Sequence, residues 1–397
     1  MAAGGADIEV VIVGAGVAGL TLARALLARG AGVTVLDDGV PPASATPVGA
    51  LMPLPRAAPG DLLARLQTQG LSIMPRLAAD LAGETGIDPC YSVTGRITPL
   101  AERAAAGAGL EEASARFAAI ASAQRTAGHA CPVAKGQAEA GPKWLDRAAL
   151  RGDIPQGLLA PSVGTEGGIV DGVTARLDAA ALVRALRRSV EQHPRGALKD
   201  AWPVGHLAAK GRPEGRAAAV GPRGRLPGDA VVVAAGWRSA AFAAGLGLPP
   251  GRAVKGQAAM LALALPEGAP VIQAPGLFVV PHAPAADGTP RVGVGSTREA
   301  GLTDLSTDDR LETMLARAAA LVPALQGAPI LSRWAGVRPR PPGRLPQAGP
   351  APGRPGVWFL SGGHGIGIAL APALAEIVAD AIVAGQAVPS ELMPQEA

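Results

Sequence analysis

The feature that most constrains this chain lies in its first forty residues. An apolar run over residues 8–13, interrupted by Glu9, leads directly into Gly14-Ala15-Gly16-Val17-Ala18-Gly19. Such a run, without regular polar alternation, marks a parallel strand covered on both faces. Residues 20–29 then read as a helix with Leu20, Ala23, Leu26 and Leu27 on one face, ended by Gly30 and Gly32. Residues 33–36 form a second strand, closed by Asp37. A strand, G-x-G-x-x-G, a helix, a second strand and an acidic residue 23 positions after the first glycine make a dinucleotide-binding βαβ unit. Gly14 makes the tight turn, Gly16 lets a pyrophosphate approach the backbone, and Gly19 allows helix and strand to pack closely. Val17 and Ala18 belong to the turn whose free N–H groups and positive dipole end face the diphosphate. Asp37 accepts from ribose hydroxyls and repels a 2′-phosphate, which disfavours NADP. Asp38 stands beside it, and sequence does not separate the two.

The remainder must supply more than this unit. At 397 residues the chain exceeds one ordinary core, so two domains are expected. Residues 177–192 form an amphipathic helix, with Leu177, Ala181, Leu182, Ala185 and Leu186 facing inward. Residues 231–236 are a buried strand ending in small residues. Residues 254–265, 277–281 and 292–294 read as antiparallel strands, and 357–360 as a strand before a glycine-rich turn and a helix over 372–384. Residues 101–143, rich in Ala and Gly, show weak periodicity and read as a surface-exposed part of the second domain. The fold class is therefore α/β, a Rossmann-type nucleotide domain interrupted by a substrate domain with a mainly antiparallel sheet.

Composition removes several alternatives. The formal charge is only +4, the arginines are scattered, and aromatics make up 3% with one tyrosine, Tyr91. Neither a basic patch nor a stacking platform for nucleic acid is in evidence. Cys90, Cys131 and the five histidines have no metal-ligand spacing, and a reducing cytoplasm is the expected location. Cys90 reads as a small buried hydrophobe. The N-terminus carries Asp7 and Glu9 where a signal peptide needs positive charge. Residues 357–375 imitate a membrane span with only His364 titratable, but their glycines and Pro372 argue for a buried strand and helix.

Taken in order, further segments resemble the D-amino-acid oxidase superfamily along the whole chain, nearest to glycine oxidase and sarcosine oxidase relatives. PVGALMP (47–53), with Gly49, Ala50, Leu51 and Met52, resembles the loop that lies against the isoalloxazine. VDGVTARLDAAALVRAL (170–186) resembles the segment of glycine, acid and helix. VVVAAGW (231–237), with Ala235 and Gly236, resembles the strand that ends beneath the cofactor. AVKGQ (253–257) and GVGSTREAG (293–301) are similar to two strands of the substrate domain. RWAGVRPRPPGRLPQAG (333–349) and VWFLSGGHGIGIALAP (357–372) resemble the arginine-bearing strand and the C-terminal glycine turn.

The resemblance implies non-covalent FAD, since neither cysteine falls near the positions of covalent attachment. It implies FAD-binding segments at 1–88, 150–245 and 334–397, and substrate-binding segments at 89–149 and 246–333. Arg338 matches the carboxylate-binding arginine, a role that suits its planar fork and would also bring it against the cofactor. Arg340 and Arg344 read as solvent-exposed. Gly363, His364, Gly365, Ile366, Gly367 and Ile368 would pass beside the flavin, with helix N–H groups near its N1–O2 edge. His364 would face the flavin or serve as a polar turn residue. Phe278 stands where the family carries a tyrosine, and Gly365 or Ile366 where a charge is common, so the pocket is expected to be less polar than in glycine oxidases. The implied reaction oxidises a small, glycine-like amino acid or secondary amine to its imine, with hydride transfer to flavin N5. Oxygen is the implied acceptor, giving hydrogen peroxide, and in relatives the imine feeds thiamine biosynthesis. The alternatives are a dehydrogenase serving a quinone or protein, and a non-catalytic FAD-binding subunit. Homo-oligomerisation is left open.

Overall fold

The computed structural model describes residues 8–395 other than 55, 56, 59, 102–112, 130–140 and 212–214. Cys131 and much of 101–143 therefore lie outside the described residues. Strand Glu9–Val13 pairs in parallel with Gly32–Leu36 on one side and Ala230–Val233 on the other. Val357–Ser361 extends this sheet in parallel and Gln347–Pro350 closes it antiparallel, while Gly196–Lys199 forms the opposite edge.

The unbroken apolar run of the first strand follows from burial on both faces. Val10 and Ile12 enter a helical core built largely by helices Val17–Ala28, Leu62–Thr85, Ala179–Gln192 and Gly367–Ala384. Val11 and Val13 point the other way, onto Ala217 and Ala219 of a small three-stranded antiparallel sheet. Side-chain caps set two of the helix starts. Asp61 accepts from Ala64 N–H at 3.2 Å, and Asp178 from Ala181 N–H at 2.9 Å.

Among the described residues, a nine-stranded sheet forms the second layer. Its longest pair is Arg252–Ala262 with Ile330–Arg340, antiparallel, and Gly256 stands opposite Gly336. Arg291–Gly295 and Leu277–His282 continue it antiparallel, and Val271–Ala274 joins Arg96–Leu100 in parallel. Strand alternation sorts the two faces. Leu277 and Val279 pack with Leu311, Met314 and Ala318 of helix Asp309–Leu321. Phe278 and Val280 turn to the opposite face.

Several expectations shift. The boundary expected at residue 334 falls inside the continuous strand Ile330–Arg340, and Gly167–Asp171, expected on the nucleotide side, pairs within the large sheet. Helix Ser114–Thr126 lies in the stretch expected at the surface. Yet Phe117 and Ile120 are buried in the helical core, and because Ala115, Ala118 and Ala119 occupy exposed positions the two faces differ little in polarity and leave a weak periodic signal. The last helix begins at Gly367, ahead of Pro372, since the buried run through Ile368 and Leu370 holds the backbone helical despite the proline. That helix has the length and composition of a membrane span, but 61% of its most apolar window is buried inside the fold. Cys90 is half-buried at φ +53 in an Asx turn, its N–H donating to Asp88 Oδ1 at 2.7 Å, rather than lodged in a core.

Candidate active site

A cavity of about 820 Å³ opens between the two large sheets, at the carboxyl ends of the nucleotide-sheet strands. Ligands of open α/β sheets bind at these ends, and the volume suits a sizeable cofactor with a small substrate. The glycine turn forms one end. Gly14 has φ +117 and donates to Leu36 O at 2.8 Å, and a Cβ there would stand 2.5 Å from Ala234 O. At Gly19 a Cβ would stand 2.1 Å from Gly14 O, so that glycine serves packing and does not line the cavity.

Gly16 differs from both. A Cβ there would meet nothing nearer than Ser44 Oγ at 3.5 Å. The protein itself does not require glycine at this position, which points to a ligand as the reason. Ser44 Oγ accepts from Val17 N–H at 2.9 Å, so a side chain from a distant loop caps the helix, and Ala18, next in the turn, lines the cavity. Asp37, directly after its strand, is half-buried. Its Oδ2 pairs with Arg187 at 2.8 Å and its carbonyl accepts from Trp202 N–H at 2.7 Å. Asp38 is exposed and pairs with Arg238 at 3.1 Å.

The middle of the cavity is lined by Gly49, Ala50, Leu51 and Met52 and, opposite, by Ala235 and Gly236. Gly49 has φ +82, and a Cβ there would stand 2.0 Å from Leu177 O. The C-terminal turn from Gly363 through Ile368 passes along the same space. His364 takes φ +44, a region costly to any residue with a Cβ and frequently found at functional sites. Burial, reinforced by Arg338, Arg298 and Arg340, pulls its pKa down to about 4, so the imidazole is neutral at pH 7.

At the far end Phe278 and Arg338 line the cavity together. The Arg338 guanidinium donates to Thr297 O at 3.2 Å and to Ser296 Oγ, and among the described residues no carboxylate pairs with it. Burial and the charge of Arg298 push its pKa down, with Glu299 opposing. An arginine has five donors, so several remain for a ligand. The lining carboxylates, Asp37 and Asp38, both lie at the other end.

Every site residue expected from sequence except Gly19 thus borders one cavity. Sequence reasoning missed Ser44, hidden in a Pro- and Ala-rich loop without periodicity. It also missed Arg298, which stood inside a strand signature and was passed over as part of it. Arg340 and Arg344 are exposed as expected, yet both border the cavity.

Comparison with known proteins agrees with this arrangement. Residues 9–381 match the family described as FAD dependent oxidoreductase (DAO). The chain is 30% identical over 383 residues to glycine oxidase of Pseudomonas putida, covering 95% of each chain. It is 30% identical over 377 residues to glycine oxidase of Pseudomonas aeruginosa, covering 94% of each. The crystal structure of glycine oxidase from Geobacillus kaustophilus superposes with a TM-score of 0.80 at 24% identity, over 98% of this chain and 99% of that one. The chain belongs to the FAD dependent oxidoreductase family, with the fold of its glycine oxidases.

Proposed function

We propose that the protein oxidises a small α-amino acid or secondary amine to its imine and passes the electrons to oxygen. The observation that carries this reading is Arg338, a largely buried guanidinium without a carboxylate partner among the described residues, lining the same cavity as Phe278 and His364. Hydrogen bonds to two neutral oxygens leave the charge of Arg338 uncompensated, and a substrate carboxylate would balance it.

When bound, FAD supplies the acceptor for an electron pair, and the protein supplies binding and orientation. Gly16 and Ala18 would face the diphosphate, with Gly14 and Val17 shaping the turn through N–H groups already given to Leu36 O and Ser44 Oγ, and Asp37, directly after its strand, would hold the ribose. Arg338 fixes the carboxylate by two parallel hydrogen bonds, so that the α-carbon reaches one place in one orientation. Phe278, in the position of a family tyrosine, adds an apolar wall that keeps water from the reacting carbon. His364, neutral at pH 7 and too weak a base to hold a proton among these arginines, borders the site as an uncharged polar group, and the amine gives up its ammonium proton to solvent before it reacts. Loss of two electrons and two protons gives the imine, and water converts it to the keto or aldehyde acid and the amine or ammonia. Oxygen takes up the same two electrons and two protons as hydrogen peroxide.

Peroxide release with a panel of amino acids and N-methylated amines tests the reading. Turnover with oxygen supports it, whereas reduction of a quinone dye without peroxide would make the protein a dehydrogenase. A protein that binds FAD but is reduced by no amine would be a binding subunit. Acid precipitation should leave all flavin in the supernatant, as non-covalent attachment requires. A cytoplasmic location belongs to the same reading; the one long apolar helix among the described residues is mostly buried within the fold, which speaks against its spanning a membrane.

A further inference from the structure

The substrate end of the cavity carries more positive charge than one carboxylate needs. Six arginines line the cavity: Arg96, Arg238, Arg298, Arg338, Arg340 and Arg344. Three are neutralised inside the protein. Arg96 pairs with Asp171 at 2.7 Å, Arg238 with Asp38 at 3.1 Å, and Arg344 with Asp61. Arg298, Arg338 and Arg340 have no carboxylate partner among the described residues, and all three act electrostatically on His364. Arg298 and Arg338 border the same cavity, and Arg298 is the largest charge acting on Arg338.

Glu299, the acid next in sequence to Arg298, does not relieve it. Its carboxylate accepts from Gln257 at 2.9 Å and Arg310 at 3.0 Å, and the side chain is buried away from the cavity lining. Arg298 itself is exposed, on the segment that follows Ser296 and Thr297, the two residues that hold Arg338. The backbone that fixes the first cation therefore carries the second. Two like charges held together at the mouth of a site repel each other, and an anion bridging them removes that cost.

We propose that the substrate carries two carboxylates, one held by Arg338 and the second by Arg298, and is thus an amino dicarboxylic acid such as an N-carboxymethyl amino acid. This rests on the reading of Arg338 given above. It reverses the expectation of a less polar pocket, because the charge absent from the C-terminal turn is restored at Arg298, in the loop after strand Arg291–Gly295.

The test uses the FAD-loaded enzyme and non-oxidisable ligands, so that binding is read apart from turnover. Acetate, malonate and succinate are titrated against the flavin absorption spectrum. A dicarboxylate should bind about 2- to 5-fold more tightly than acetate, the scale of one added ion pair to an exposed arginine. That preference should shrink as sodium chloride rises, because Arg298 is exposed. Arg298→Gln should collapse the ratio towards one, while Arg184→Gln, on an exposed helical face, should leave it intact. In turnover, kcat/KM for iminodiacetate should exceed that for glycine, and Arg298→Gln should remove the excess. A ratio near one in the wild type, or a ratio unaffected by Arg298→Gln, would overturn the proposal and leave the role of Arg338 standing. Failure of acetate to perturb the flavin or to inhibit would overturn both.

Discussion

The guanidinium of Arg338 lies directly over Gly256: a Cβ at Gly256 would stand 2.1 Å from Arg338 Nη2. The two belong to neighbouring strands, with Arg338 two residues beyond Gly336, the cross-strand partner of Gly256. Gly256→Ala should therefore displace the end of a flexible side chain without disturbing the backbone. Flavin content and melting temperature are expected to stay near wild type, while kcat/KM for an amino acid falls on the order of tenfold or more, as loss of orientation implies. A variant with unchanged kinetics would show that Arg338 does not act from its observed position.

Removal of Arg338 itself should be more severe. A charge-assisted pair in a dry pocket is worth about 2–4 kcal/mol over its absence, which corresponds to about 30- to 1000-fold in kcat/KM. Arg338→Ala should show this loss for carboxylated substrates and far less for simple amines. Arg338→Lys should recover only part, because a point charge lacks the fork. Equal losses for both substrate classes would assign Arg338 a structural role.

The three motif glycines should separate into two kinds. The Cβ of Gly16→Val meets only side-chain atoms at ordinary contact distance, Ser44 Oγ at 3.5 Å and Pro42 Cβ at 3.6 Å, so the apoprotein should fold while FAD retention is lost. Gly19→Ala drives a Cβ to 2.1 Å from the Gly14 carbonyl, and overpacking of this sort costs about 1–3 kcal/mol of stability. Thermal melts of the apoproteins, beside flavin titrations, distinguish ligand-imposed from packing-imposed glycine. Equal destabilisation of the two apoproteins would refute the distinction.

Acid should weaken the fold through His282. Burial pulls its pKa from 6.5 down to about 4, although Nε2 donates to Val48 O at 2.9 Å. The unfolded imidazole binds its proton near pH 6.5 and the folded one does not. The stabilisation is therefore complete above pH 6.5 and is lost as pH falls towards 4. By pH 5 the loss is about 2 kcal/mol at 1.36 kcal/mol per unit. His364 acts in the same direction, with less weight because solvent reaches it. Urea unfolding at pH 7.5 and pH 5 should show this slope, and His282→Gln should flatten it. An unchanged slope in that variant would remove His282 as its source.

The nucleotide-binding half of the site was legible because its constraints are local. Gly14, Gly16, Gly19 and Asp37 stand at fixed spacing within one supersecondary unit, and their roles follow from backbone geometry. Arg338 was legible only through resemblance, since nothing in its neighbourhood distinguishes it from Arg340. Ser44 and Arg298 were not legible at all. Ser44 acquires its role by a contact across 27 residues, and Arg298 acquires its own from the side-chain partners it lacks. Missing partners leave no mark in a sequence. Helix Ser114–Thr126 was obscured differently, by alanine in place of polar residues on its exposed face.

The order of strands in the nucleotide sheet governs when the site can exist during synthesis. Strand Glu9–Val13 waits for Ala230–Val233, and that strand waits for Val357–Ser361. The cavity wall is finished by residues from Gly363 to Leu374. A ribosome that has released the glycine turn has released no binding site, and nearly the whole chain must emerge before the flavin has walls to meet. Pairings so distant in sequence form slowly. Until then the strand bearing the glycine turn exposes its apolar faces, and those are the surfaces a chaperone would hold.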